Sequence, residues 1–374
     1  MSGKAQATRV ALLAGIDEAG FGPLLGPLVV SCSAWAVPPE LLHADLWQTF
    51  QRSLGRARKH LAGRLLVADS KKAYHRAEGV GHLERTVLAA LQAMGVGTPD
   101  CGLRIGDCGL AATKQGQGGG ADPESACRKG GPSDGHEERR PGPPTTIYSL
   151  LEVLCPDCLA RLSEYPWFQK LQECRLAAEP ADLRIAAQVL ADDLQAHEAR
   201  LVCLHSSCLD VAYYNTMVEQ VRNKAQVLFV AVTQLIQSLL DRFQDDCIHI
   251  LVDRQGGRAH YRENLRRSFP GMDLRIVLEG DEVSTYELRQ GSRLVRLSFQ
   301  VKADDVYLPV ALASMVSKYV RELLMECMND YFVALDPDLT PTAGYWKDGT
   351  RFVEELRQRL PDLKVDGHRL IRCR

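Results

Sequence analysis

The chain has 374 residues, 45% hydrophobic and 25% charged, enough to bury a substantial core as one large domain with an insertion or as two smaller ones. A formal net charge of −2 excludes a globally basic nucleic-acid coat, so any grip on a phosphate backbone has to come from a local patch. Twelve cysteines are spread along the chain with no secretory signal ahead of them and no uncharged apolar run of roughly 18 to 20 residues, which points to reduced thiols in a soluble cytoplasmic protein away from the membrane.

The first element is a buried strand over Arg9 to Ile16, short, apolar and followed by glycines. It delivers two adjacent carboxylates, Asp17 and Glu18, into the turn Gly20-Phe21-Gly22-Pro23. Two ionised carboxylates at the end of a buried strand are costly unless a cation or hydrogen-bond donors compensate them, and a metal site is one answer. Gly26 to Val37 reads as a second strand that Pro38-Pro39 terminates, making an opening hairpin. Glu40 to Ala62 has a helical, moderately basic pattern, and Leu65-Leu66-Val67-Ala68 then leads into Asp69-Ser70-Lys71-Lys72. Asp69 or Ser70 would cap the next helix, whose apolar positions include Val87, Leu88 and Leu91; Lys71 and Lys72 are either a solvated first turn or phosphate contacts.

Composition changes abruptly over 97–145, which holds 12 Gly and 6 Pro in 49 residues and no aromatic residue. Such a segment buries too little apolar area to offset its ordering entropy, so the expectation is a largely disordered insertion. Cys155-Pro156-Asp157-Cys158 follows it; a C-x-x-C pair without a second well-spaced pair reads first as spare thiols, with half a zinc site or a redox pair as alternatives. The apolar-aromatic stretch from Thr146 to Ala199 predicts ordered structure docked on the core. Asn215 to Phe243 has the period of one long helix, and Ile248 to Val252 is a strand that ends on Asp253. Arg254, Arg258, Arg262 and Arg266 recur every fourth residue with Arg267 alongside, so a helix here would carry a guanidinium stripe, solvated or phosphate-binding. Leu274 to Leu278 and Arg293 to Val301 are further strands, the second running into Lys302-Ala303-Asp304-Asp305. Val306 to Phe332 is a strong helix with small residues Ala311, Ala313, Ser314 and Ser317 suited to close packing on a sheet, and a short helix follows around Phe352 to Leu360.

Three of the best strands therefore terminate in carboxylates: Asp17 with Glu18, Asp253, and Asp304 with Asp305. Ligands of open α/β sheets gather outside strand ends. Oxygen ligands without a His or Cys set favour Mg2+ or Mn2+, and the chemistry that needs this set is phosphodiester hydrolysis by two metals about 3.5 to 4 Å apart. Scattered surface aspartates are the plain alternative. Gly20 to Gly26 is a poor dinucleotide loop, because the acidic pair before it would repel pyrophosphate and a strand follows it. No Walker A lysine motif, G-x-S-x-G elbow or H-E-x-x-H spacing is present.

Taken together, Gly15-Ile16-Asp17-Glu18-Ala19-Gly20-Phe21-Gly22-Pro23, Asp69-Ser70-Lys71, Leu251-Val252-Asp253, Lys302-Ala303-Asp304-Asp305 with Ala313 to Arg321, Gly344-Tyr345 and His368-Arg369 resemble, in order, the motifs of the ribonuclease HII family. The resemblance covers most of the chain except the insertion and an atypical segment over about 146–210. It implies a single catalytic domain with an RNase H-like α/β fold, a mixed central sheet flanked by helices, and a helical C-terminal part over 333–374. It implies Asp17, Glu18, Asp253 and Asp304 as catalytic and metal-binding residues for Mg2+ or Mn2+. Cleavage would fall 5′ to a ribonucleotide in an RNA–DNA hybrid or in duplex DNA with embedded ribonucleotides, leaving a 3′-hydroxyl and a 5′-phosphate. Gly20, Phe21, Gly22, Ser70, Lys71, Lys72, Lys318 and Tyr345 would bind the substrate; no protein partner is evident. Two positions depart from the family pattern: Phe21 stands where the family carries arginine, and Glu322 where aspartate is usual. Phe21 and the large insertion motivate the alternative of a non-cleaving or altered-specificity RNA–DNA hybrid-binding paralogue.

Overall fold

The computed structural model describes residues 10–96, 143–243 and 247–373. The expectation of disorder over 97–145 falls outside them except for its last three residues. At the centre of the described structure lies strand β1 (Ala11–Ala19), in which every residue but Glu18 is buried. Its alternating side chains feed two cores: Leu13 joins one cluster, while Leu12, Ala14 and Ile16 join the other. This is the pattern of a strand covered on both faces.

Six further strands complete one sheet: β2 (Leu28–Val37), β3 (Arg200–Leu209), β4 (Cys247–Asp253), β5 (Asp273–Glu279), β6 (Val283–Gln290) and β7 (Arg293–Gln300). The spatial order is β3-β2-β1-β4-β7-β6-β5. β1 is parallel to β4 and β4 to β7, while β1–β2, β2–β3, β7–β6 and β6–β5 are antiparallel. The sheet is thus mixed, as expected, and its three central strands point the same way.

The main helices are α1 (Gly81–Ala93), α2 (Ile147–Leu154), α3 (Pro180–Ala196), α4 (Val211–Val221), α5 (Lys224–Arg242), α6 (Arg262–Ser268), α7 (Leu308–Leu335) and α8 (Trp346–Arg359). α1, α3 and α7 share the core that holds Leu13, and α5 covers the opposite face. α7 lies directly against β1. A Cβ added at Gly15 would stand 2.2 Å from the Pro309 carbonyl carbon, so only glycine lets that helix start so close to the strand. The segment after residue 146 docks as expected, with Trp167 packed against Phe332 of α7 at 5.5 Å between ring centroids. The C-terminal part is helical, and its end returns to the turn between β1 and β2: Arg372 N–H donates to the Leu24 carbonyl at 2.9 Å.

Four expectations need correction. Glu40 to Ala62 is not one helix; short turns at Pro39–His43 and Leu46–Thr49 give way to an extended pair of Leu54–Gly55 with Leu65–Leu66. Left-handed backbone at His60, Ala62 and Gly63 stops any helix there. Asp69 does cap a helix, its carboxylate accepting from Lys71 N–H at 2.9 Å, but that helix is the single turn Ser70–Ala73, and Val87, Leu88 and Leu91 belong to the separate α1. The long helix over 215–243 is two helices, because Arg222 is left-handed and Asn223 caps a fresh start at Ala225 N–H. The arginine stripe is broken. Gly256, at φ 56, keeps Arg254 and Arg258 in a loop where Arg254 Nε donates to the Arg258 carbonyl at 2.8 Å, so only Arg262, Arg266 and Arg267 lie on α6.

Candidate active site

The register of the parallel strands assembles the site. Ile16 pairs with Val252, so Asp17 and Asp253 follow at the C-terminal ends of adjacent strands. The third parallel strand, β7, runs through Lys302, a non-glycine residue held left-handed at φ 54, into the helical turn Ala303–Val306 that carries Asp304. Backbone of this kind is retained where the surroundings over-determine it.

Asp17 is 6% exposed, and each of its neighbours fixes it. Its Oδ1 accepts from Glu18 N–H at 2.8 Å, Ser314 of α7 hydrogen-bonds its carboxylate, and the Ser317 hydroxyl donates to its carbonyl at 2.9 Å. Ser317 also bonds Ser31 of β2 at 2.8 Å, which in turn meets Ser206 of β3 at 2.7 Å. A hydroxyl chain thus ties the Asp17 end of β1 to two strands and one helix. Asp253 Oδ1 accepts from Ala303 N–H at 2.7 Å, which links the second carboxylate to the turn bearing Asp304.

The electrostatics of the four carboxylates are those of a cluster short of positive charge. Burial pushes the Asp17 carboxyl well up, and repulsion from Glu18 and Asp253 adds to it. Burial and then Asp253 push Glu18 up to about 8, with Lys71 working in the opposite direction. Asp253 is raised by burial against the pull of the Ala303 and Arg254 amides. Asp304 is pushed up to about 7 by burial, the Asp69 charge and Asp253, and by a hydrogen bond shared with Asp69. Like charges held together in a partly desolvated pocket resist ionisation until a cation joins them.

Asp69 is therefore a fifth carboxylate of the cluster. The sequence reading assigned it only a capping role, which it also fills through one oxygen. The missed signal was that a cap uses one side of a carboxylate and leaves the other free to face a neighbour.

The residues assigned to substrate divide into groups. Lys71 is exposed and acts electrostatically on Glu18 and Asp253; Lys72 is exposed and forms an ion pair with Asp305. Tyr345 is 53% exposed at the start of α8. Lys318 is engaged, 2.8 Å from Glu322 and over the Tyr74 ring at 4.5 Å. Ser70 faces inward, within 3.1 Å of the Ser314 hydroxyl. Gly20, at φ 90, has no space for a side chain: a Cβ would meet the Pro27 carbonyl at 2.5 Å and Arg321 Nε at 2.7 Å. The unusual Glu322 accepts from Arg321 at 2.8 Å, and Arg321 in turn donates to the Ala343 carbonyl at 2.9 Å, so this pair braces the Gly20 turn and the Gly344-Tyr345 turn together. Leu24 N–H completes the brace by donating to the Gly344 carbonyl at 2.7 Å.

The donor set suits a hard divalent cation, being all oxygen with Lys71 as the cationic neighbour that acts on both Glu18 and Asp253. Among the described residues, no three His, Cys, Asp or Glu side chains already stand in a metal-holding arrangement. Cys155 and Cys158 are buried with their sulfurs 3.7 Å apart. No described helix is long and apolar enough to cross a membrane.

No protein-family model and no curated protein matches the sequence. Among solved structures, the chain is similar to ribonuclease HII of Archaeoglobus fulgidus in its complex with PCNA, at 14% identity over 97% of this chain and 94% of that one, with a TM-score of 0.36. It is similar to ribonuclease H2 of Pyrococcus horikoshii, at 13% identity over 94% of this chain and 90% of that one, with a TM-score of 0.33. It is similar as well to Bst-RNase HIII in complex with Mn2+, at 13% identity over 98% of this chain and 68% of that one, with a TM-score of 0.36.

Proposed function

We propose that the chain is a divalent-metal-dependent endonuclease of the ribonuclease H type 2 class, hydrolysing the phosphodiester 5′ to a ribonucleotide in an RNA–DNA hybrid or in duplex DNA with an embedded ribonucleotide. The observation that carries this reading is the meeting of Asp17, Glu18, Asp253 and Asp304 at the ends of parallel strands, where burial first and neighbouring carboxylates second raise the proton affinity of each. Charges this costly have a use when a cation is drawn among them. Mg2+ or Mn2+, when bound, would supply an activated water and stabilise the leaving oxygen.

Asp17, Asp253 and Asp304 would hold the ion directly, Asp17 having its carboxylate pre-set by Ser314 and the Glu18 amide. Glu18 would share coordination or orient the ribose. Asp69, hydrogen-bonded to Asp304, would release that carboxylate as positive charge arrives. Lys71 and Lys72 would contact phosphates, and Tyr345 would stack at the junction between ribonucleotide and DNA. Backbone N–H groups of Gly20, Phe21 and Gly22 would read the 2′-hydroxyl, the group that separates RNA from DNA. The products would be a 3′-hydroxyl and a 5′-phosphate.

The test is incubation of the protein with duplex DNA carrying one ribonucleotide, with and without Mn2+, beside Asp253→Asn and Phe21→Arg. The expected result is metal-dependent scission by the parent, with Asp253→Asn slower by at least about a hundredfold, the scale of losing one electrostatic catalytic group. A metal-independent gel shift without product selects the non-cleaving hybrid binder. Unchanged turnover in Asp253→Asn removes the carboxylate site from the mechanism.

A further inference from the structure

On the side of the Gly20 turn that Phe21 faces, a cleft of about 260 Å³ is lined by Phe21, Tyr214, Lys224, Trp346, Arg372 and neighbouring backbone. Five separate parts of the chain build it. Phe21 comes from the turn after β1, Tyr214 from α4, Lys224 from the first residue of α5, and Trp346 from the first residue of α8. Arg372 comes from the returning tail and fastens the turn, donating to the carbonyls of Gly20 and, at 3.2 Å, of Phe21.

The chemistry of the lining is specific. Three aromatic rings meet two cations: Lys224 Nζ lies 5.5 Å from the Phe21 ring centre, and the Arg372 guanidinium lies 4.0 Å over Tyr214. Arg372 is 3% exposed, and its Nε is buried with no hydrogen-bond partner among the described residues. A buried guanidinium N–H in that condition calls for an acceptor. Trp346, 48% exposed, stands in the lining of the cleft. Pockets for drug-sized ligands begin at roughly 300 Å³, so this cleft suits one flat heteroaromatic group with an attached phosphate.

We propose that the cleft takes one unpaired nucleobase, with its phosphate toward Lys224, from the nucleotide next to the ribonucleotide that the carboxylates address. The inference rests on the nuclease reading. Rings that stack and cations that follow a phosphate are the two components of single-strand recognition. A base inside an intact duplex is already stacked, and extracting it costs a few kcal/mol, least at a mismatch or a single-stranded flank. The cleft would therefore favour a ribonucleotide bordered by an unpaired position, and Phe21 in place of the family's arginine would exchange a charge contact for a stacking one.

Binding is measured in EDTA, so that no cleavage occurs, by anisotropy of labelled duplexes and by tryptophan emission. Trp35, Trp47 and Trp167 are buried, so quenching by a stacked base reports on Trp346. A duplex with one unpaired nucleotide beside the ribonucleotide is expected to quench the emission and to bind about tenfold more tightly than its fully paired counterpart, the scale of one stacked base. Replacing that nucleotide by an abasic residue, or introducing Trp346→Ala or Phe21→Ala, is expected to abolish the gain; Trp346→Ala changes an exposed ring and tests the contact with the fold intact. Equal affinity for paired and unpaired duplexes, or a gain that survives both substitutions, overturns the proposal. Quenching by free dAMP as strong as by the duplex would make the cleft an effector site for nucleotides and likewise overturn it. Loss of metal-dependent scission with the quenching intact would remove the nuclease reading and leave the cleft standing.

Discussion

Each carboxylate of the cluster is a local compromise between burial and charge, and its consequence for stability has a definite sign. Glu18 has an ordinary value of 4.5 and is pushed up to about 8 in the folded chain. Between those values the folded protein keeps a proton that the unfolded chain has released, so stability falls as pH rises across the window and is unaffected below it. Asp304, raised to about 7, acts in the same direction. The metal-free protein is expected to show a urea midpoint that declines from pH 4.5 to about 8, with a shallower decline in Glu18→Gln. Matching slopes in the two proteins would mean that Glu18 ionises freely in the fold. At this scale Asp17, Glu18, Asp253 and Asp304 were legible in the sequence because each ends or follows an apolar run. Asp69 was less so, since its capping position explains it fully until the distant Asp304 is placed beside it.

Among elements, the contact between β1 and α7 matters most to the site, since both ends of the carboxylate set hang on it. Pro309 follows the Asp304 turn by a few residues and touches Gly15, two residues before Asp17. Gly15→Ala forces a methyl group against backbone that cannot rotate away, and overpacking of this kind costs about 1–3 kcal/mol. The expected result in urea unfolding is a loss near the top of that range, with slower scission because the Asp304 turn shifts relative to Asp17. A variant as stable and active as the parent would show that α7 yields without disturbing the site. The same elements explain what sequence periodicity reveals. β1, β2, β4 and α7 are continuous apolar patterns, covered on both sides, and all were legible. β6 was not, because Glu287 sits in its middle, buried and paired with Arg296 at 2.9 Å, and a cross-strand ion pair looks like surface in one dimension. β3 escaped for a related reason: Ser206 reads as polar loop until Ser31 of the adjacent strand satisfies it.

For the molecule as a whole, the question is whether the chain folds and acts as one unit around its long Gly/Pro-rich stretch. Both hydrophobic cores are closed by residues on either side of 97–142: Leu88 and Leu91 of α1 belong to the same cluster as Leu150 of α2 and Leu183 of α3. The polar connections also bypass that stretch, as where Tyr319 of α7 donates to Glu84 of α1 at 2.8 Å. We therefore expect residues 100–140 to be replaceable by a Gly/Ser linker. Halving the length of a connection changes its closure entropy by only about 0.6 kcal/mol, so with a linker of half the length the urea midpoint should stay close to that of the parent. Metal-dependent scission should also persist, because every carboxylate of the cluster and every lining residue of the cleft lies outside the replaced segment. A loss of several kcal/mol would make the segment part of the folded unit. Unchanged stability with weakened duplex binding would instead assign it to the substrate, and a step in the salt dependence of that binding would count the phosphates it meets.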